Sequence, residues 1–199
     1  ACVRAGVTIL YYEFPISVER SINEWIMDVM GPGTHHQIHC KQIIDCTGSA
    51  SVVGLLNLPR LRGDEGQPGS LLYKLGGKFN VGREQLDSLY VFNTDTSTST
   101  SLSKANIEGR SLLLEKLRKS NDKKRLLLMQ PEIAHRESYR IDGETMISVD
   151  DYISGRIFED SVCYAFYPVD LHTKNGVKPK PLARGIVPTI PLSALIPKN

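Results

Sequence analysis

One short apolar run ending in a threonine-glycine turn constrains this 199-residue chain more than any other feature. Ile43-Ile44-Asp45-Cys46-Thr47-Gly48 leads directly into Ser49-Ala50-Ser51-Val52-Val53-Gly54-Leu55-Leu56. The pattern reads as a buried strand, Gln42 to Cys46, whose glycine turn opens a helix, and Ile43-Ile44 suits a strand covered on both faces. In α/β folds ligands bind at such points, where the carboxyl ends of strands meet the positive ends of the helices that follow. Gly48 permits close backbone approach to a ligand, and the Thr47 hydroxyl is placed to tie the turn.

The flanking segments read as the rear of a nucleotide-binding α/β unit. Ala1 to Gly6 looks like a last helical turn stopped by Gly6, with a strand from Val7 to Tyr12 after it. Ile16 to Arg20, Glu24 to Met30 and His35 to Cys40 are rich in β-formers and are separated by Ser21-Ile22-Asn23 and Gly31-Pro32-Gly33-Thr34. That spacing predicts a three-stranded meander, with Gly31-Pro32-Gly33 as a hairpin turn. Trp25, the single tryptophan, is expected to pack in the meander. His35 and His39 would point to one strand face and His36 to the other, so three ligands do not converge and no metal site is expected.

A polar, glycine-rich connector from Pro59 to Gly69 marks a change of domain. Strands are predicted from Ser70 to Leu75 and from Ser88 to Asn93, and Thr94 to Ser101 reads as a hydroxyl-rich linker. Ser103 to Ser120 carries Ile107, Leu112, Leu113, Leu114 and Leu117 between charges, an amphipathic helix. A second helical piece, Asp122 to Gln130, is expected to end before Pro131.

Composition excludes several classes. A formal charge of +2 with both signs interspersed gives no basic stripe for nucleic acid, and the run Lys116 to Lys124 reads as a solvated helix end. No stretch approaches the roughly 18 apolar residues of a membrane span. Cys2, Cys40, Cys46 and Cys163 form no C-x-x-C pair, so neither a zinc ribbon nor a redox dithiol is indicated.

Further segments complete the pattern: Gln67-Pro68-Gly69-Ser70-Leu71-Leu72-Tyr73-Lys74-Leu75-Gly76-Gly77, His135-Arg136-Glu137-Ser138-Tyr139-Arg140-Ile141-Asp142-Gly143-Glu144, Ser148 to Phe158, and Tyr167-Pro168-Val169-Asp170-Leu171-His172. Together with the Thr-Gly turn they resemble the FAD-dependent oxidoreductases, of glutathione-reductase-like FAD-binding fold. Those enzymes carry Ile-Asp-Ala-Thr-Gly-Asp, Gln-Pro-x-Ser/Thr-Leu-Met-Phe-Arg-Leu-Gly-Gly, Arg-Glu-Ser-Arg-Arg-Ile-x-Gly-Glu, Leu-Thr-x-x-Asp-x-x-x-Gly-Arg-x-Phe and Tyr-Pro-Ile-Asp-Ile-His. The resemblance is weakest between Lys78 and Glu132.

It implies an α/β plus α+β architecture. Residues 1–58 would be the rear part of an FAD/NAD(P)-binding Rossmann-like domain with its β-meander, and residues 59–199 a mixed-sheet substrate domain. No G-x-G-x-x-G occurs, the chain opens without a start methionine, and it stops where the family continues into a strand that returns to the flavin. The expectation is therefore an internal portion of a longer flavoprotein, whose partners are a small-molecule substrate and the remainder of its own polypeptide. On its own it would bind FAD weakly or not at all.

The resemblance places Phe14, Cys46, Thr47, Gly48 and Ser49 on the FAD side. The family's aspartates after the glycine are Ser49 and Ser51 here. On the substrate side Arg136 and Arg140 are candidate clamps for carboxylates or enolates, sharing a strand face with Ser138 if the segment is extended. Arg136 pairing with Glu137 or Glu144 is the structural alternative. His172 is the candidate acid or base beside the flavin, or else a hydrogen-bonded partner of Asp170. A relative that has lost FAD and serves as a non-catalytic binding or structural domain is the rival reading of the whole chain.

Overall fold

The computed structural model describes the chain except residues 64–65, 77–85, 120–124, 137 and 174–175, with the side chains of 171–178 also left aside. A helical turn at Val3–Ala5 ends on Gly6, as expected, and three antiparallel strands follow: β1 (Phe14–Arg20), β2 (Trp25–Gly31) and β3 (Thr34–Cys40). Their order in the sheet is that of the sequence. Cross-strand register sorts the side chains by polarity. Asp28 stands opposite both Ser17 and Gln37, and their side chains donate to its carboxylate at 2.7 and 3.3 Å. The alternate face buries Val18 and Val29.

The Pro32-Gly33 turn closes the second hairpin with Gly33 at φ +72°. Trp25 packs within the meander beneath the Arg20 guanidinium, 5.1 Å from the ring centroid. Each of the three meander histidines meets a carboxylate, His35 with Asp28, His36 with Glu13 and His39 with Glu24, and no metal-ligating cluster occurs among the described residues.

Two expected strands do not form. Val7 to Tyr12 and Gln42 to Cys46 have strand-like composition, yet neither enters a ladder among the described residues. Ile44 is 86% exposed and Tyr12 80%. A strand exists only with a neighbour to accept its N–H and C=O groups, and apolar composition alone does not supply one.

The core lies further along, between a sheet and one long helix. After α1 (Ser51–Leu55), which packs against β1, come β4 (Arg60–Leu61), β5 (Gln67–Leu75), β6 (Asp87–Thr94), α2 (Ser99–Lys119) and β7 (Leu126–Met129). β5 runs between β6 and β7, antiparallel to both. From the sheet Leu71, Tyr73 and Val91 are buried against Leu113 and Ala105 of α2, with Ile133 closing one end.

Three expectations in this region change. The Thr94 to Ser101 stretch is no linker: Asp95 accepts from Ser97 N–H at 2.9 Å, and Thr98 and Ser101 exchange backbone-to-hydroxyl hydrogen bonds that start α2. The buried stripe of α2 is Ala105, Gly109 and Leu113, while Ile107 and Leu114 face solvent. Small residues decide the face because the helix lies close on the sheet, where a Cβ on Gly109 would stand 3.3 Å from Val91. Leu126–Met129, expected within a helix, instead extends the sheet, since pairing with β5 outweighs leucine's helical preference.

The remaining elements are β8 (Arg140–Ile141), paired with β4, then α3 (Val149–Ser154), β9 (Ser161–Tyr164), β10 (Val169–Thr173), β11 (Gly176–Lys180) and β12 (Thr189–Pro191). β9 pairs with β12 and β10 with β11, and β10 passes beside α3 and β5. Every ladder among the described residues is antiparallel, so the parallel pairing expected of a Rossmann-like unit is not seen there. The chain is a mixed α/β protein. Among the described residues no helix is long and apolar enough to cross a membrane.

Candidate functional site

Asp45 organises the turn that the sequence singles out. One carboxylate oxygen accepts from the Thr47 N–H at 2.9 Å and from its hydroxyl at 2.7 Å. The other accepts from the N–H groups of Val52 and Val53 at 3.0 and 3.3 Å, satisfying donors at the start of α1 that no helical carbonyl reaches. The Thr47 oxygen in turn accepts from Ser51 N–H at 2.9 Å. Partial burial of Asp45 opposes its ionisation, but the hydrogen bonds from Thr47, Val53 and Val52 outweigh it and hold the carboxyl below its ordinary pKa.

The turn itself needs unusual backbone. Gly48 sits at φ +76° with open space where a Cβ would project, and Ala50 adopts φ +49°. For a non-glycine residue that conformation costs about 1–2 kcal/mol. Ala50 is buried, and its carbonyl accepts from Gly54 N–H at 3.0 Å, which offsets the strain. The N–H groups of Gly48, Ser49 and Ala50 make no hydrogen bond among the described residues, leaving three successive donors for a polar ligand. Ser49 and Ser51, where the resembled family has aspartates, hydrogen-bond each other at 2.8 Å.

Arg60 joins this turn to a distant segment. Its guanidinium lies over the Tyr139 ring, 4.1 Å from the centroid, and reaches the Ala50 carbonyl at 3.4 Å. It rests on α1 at Gly54, where any Cβ would collide with it. The β4–β8 pairing carries the connection on, with Arg60 opposite Ile141 and Leu61 opposite Arg140. These contacts were not foreseen from the sequence, because nothing local ties position 60 to position 139.

The other sequence-designated residues are dispersed. Phe14 opens β1 opposite Met30 and is 69% exposed. Cys46 is an exposed free thiol. Arg136 and Arg140 are both exposed, Arg140 within β8. Glu137 lies outside the described residues, so the shared face expected for positions 136, 138 and 140 is not established. The Ser138 hydroxyl, between them in sequence, is buried without a hydrogen-bond partner among the described residues. His172 stands in β10 opposite Val177, and its side chain lies outside the described residues.

The Ser148 to Phe158 segment is ordered by its own charges. The Ser148 hydroxyl accepts from Asp151 N–H at 3.0 Å while the Asp151 carboxylate accepts from Ser148 N–H at 3.1 Å, a reciprocal cap on α3. Arg156 folds back onto Asp151 at 2.9 Å, and its hydrogen bond, ahead of those from Ser148, lowers the Asp151 pKa to about 2. Tyr152 donates to the Tyr167 carbonyl at 2.8 Å and so ties α3 to the strand that follows.

A search of curated proteins found no match. Among solved structures, CabE, an aromatic hydroxylase from angucycline biosynthesis, aligns with a TM-score of 0.48 at 8% identity, over 72% of this chain and 33% of that one. This chain thus spans about a third of that protein's length. The family model described as FAD dependent oxidoreductase matches residues 72–199, well over half of the sequence. The chain belongs to the FAD-dependent oxidoreductase family.

Proposed function

We propose that residues 1–199 wall the flavin and substrate pocket of an oxidoreductase that transfers hydride between a small organic substrate and FAD, the cofactor of this family. The observation that carries the reading is the family match over residues 72–199, which takes in the Arg136–Arg140, Ser148–Phe158 and Tyr167–His172 segments together. Bound FAD would supply the hydride acceptor or donor.

The chain's own groups fit such a cofactor at the Thr-Gly turn. Asp45 occupies the donors of α1, so a ligand there would meet the free N–H groups of Gly48, Ser49 and Ala50 instead, with Thr47 and Cys46 behind them. Phe14 would flank the same cofactor. On the substrate side Arg136 and Arg140 would fix a carboxylate or enolate through paired N–H donors, with Ser138 as a further donor. His172 would hold or release the proton that accompanies hydride transfer.

The domain division follows the same reading, with residues 1–58 on the cofactor side and 59–199 on the substrate side. The unpaired apolar segments Val7 to Tyr12 and Gln42 to Cys46 would take ladder partners from the remainder of the same polypeptide. The test is His172→Ala in the longest native polypeptide that purifies with flavin. Loss of flavin bleaching by substrate, with the flavin absorbance bands retained, supports the assignment. Unchanged bleaching removes His172 from the reaction, and a native polypeptide that never carries flavin favours the non-catalytic rival.

A further inference from the structure

An open cleft of about 310 Å³ lies where β10 passes the amino end of α3, lined by Ile147, Ser148, Val149, Tyr152 and Val169. Its volume falls at the lower end of the range for small-molecule sites. The lining is mainly hydrocarbon: three branched aliphatic side chains and one tyrosine, with Ser148.

Both polar side chains of the lining, Ser148 and Tyr152, are already committed. The Ser148 hydroxyl donates to Asp151 at 2.7 Å and accepts from its N–H, Asp151 is held by Arg156, and the Tyr152 hydroxyl donates to the Tyr167 carbonyl. A charged ligand entering here would lose hydration without gaining a partner. An apolar ring would displace water from methyl groups and the Tyr152 face at no such cost. The same hydrogen bonds hold the walls in place before any ligand arrives, so little ordering is needed on binding.

From this geometry we infer that the cleft between α3 and β10 is a binding site for an uncharged, ring-bearing organic molecule of about the size of indole. The site is a property of these walls and stands without the flavin reading.

The experiment is a titration of the flavin-free 199-residue chain with indole, followed through the methyl resonances of Ile147, Val149 and Val169. Saturable shifts confined to the methyl groups of those three residues support the site, as does binding of indole-3-carboxylate at least about tenfold weaker, as desolvation of its charge requires. Val149→Trp fills the cleft and should abolish the shifts. Val149→Asp places a charge at its mouth while suiting the first turn of α3, where acidic residues are favourable, so the fold is kept even if the tryptophan variant fails. Linear, unsaturable shifts in the native chain, or undiminished binding in Val149→Asp, would overturn the inference.

Discussion

At the scale of single residues, Asp45 is the pivot of the Thr-Gly turn. Its four hydrogen bonds serve two backbone segments at once, so removing the carboxylate unties both the turn and the start of α1. Asp45→Ala should cost about 2 kcal/mol in denaturant unfolding, the upper end for a lost helix cap. The pH dependence has a definite sign. Because the folded pKa is lowered, the contribution is present above the ordinary carboxylate value of 3.8 and is lost as pH falls through the lower folded value. Asp151 behaves alike, with a window running from 3.8 down to about 2. Carboxyl titration by NMR should give Asp151 a midpoint near 2, and Arg156→Gln should move it up toward 3.8.

Arg60 offers a second test at this scale. Stacking between guanidinium and phenol is worth about 0.5–1 kcal/mol when partly exposed, so a double-mutant cycle of Arg60→Ala and Tyr139→Phe should return little coupling, since phenylalanine keeps the ring, whereas Arg60→Ala with Tyr139→Ala should return that amount. Zero coupling in the alanine cycle would mean that the stack contributes nothing in solution. Gly54→Ala should displace the guanidinium at a smaller cost than Arg60→Ala, because the added methyl meets only the movable end of that side chain.

Elements were legible in the sequence where local signals are strong and opaque where partners are remote. Pro32-Gly33 and the Ser21-to-Asn23 break delimit the meander, and β5 and β6 fall within a few residues of their expected positions. The body and carboxyl end of α2 were readable from its periodicity, but its first turn at Ser99 to Leu102 and its face were not: leucines at 112 and 114 outweighed Ala105 and Gly109 in any hydropathy count, although only the small residues let the helix approach the sheet. Leu126 to Leu128 carried the opposite ambiguity, a leucine run that becomes a strand only because β5 has an edge to offer. In the candidate site, Thr47 tying the turn was readable from the motif. Asp45 as the cap of α1 and Arg60 over Tyr139 were not, one needing the turn's geometry and the other a contact across 79 positions of sequence. The element-scale test follows from the same packing. Leu113 is 2% exposed against Leu71 and Tyr73, so Leu113→Ala should cost about 3 kcal/mol in urea unfolding, whereas Leu114→Ala, on the solvent face, should stay within about 0.5 kcal/mol.

For the whole molecule, the balance between the turn's free donors and the missing phosphate loop decides how it meets FAD. The Thr-Gly turn presents three unbonded N–H groups, yet the sequence holds no G-x-G-x-x-G to bring a helix terminus and further backbone donors against a pyrophosphate. α1 cannot replace that element, because Asp45 already fills its amino end with negative charge that would repel a phosphate. Titration of the 199-residue chain with FAD should therefore show no stoichiometric quenching of flavin fluorescence at micromolar concentrations. Asp45→Asn, which removes the repulsion but keeps one acceptor oxygen for Thr47, should not restore it, because the cradle itself is lacking. Tight one-to-one quenching by the native chain would show that the turn alone is a sufficient flavin site and would overturn this expectation.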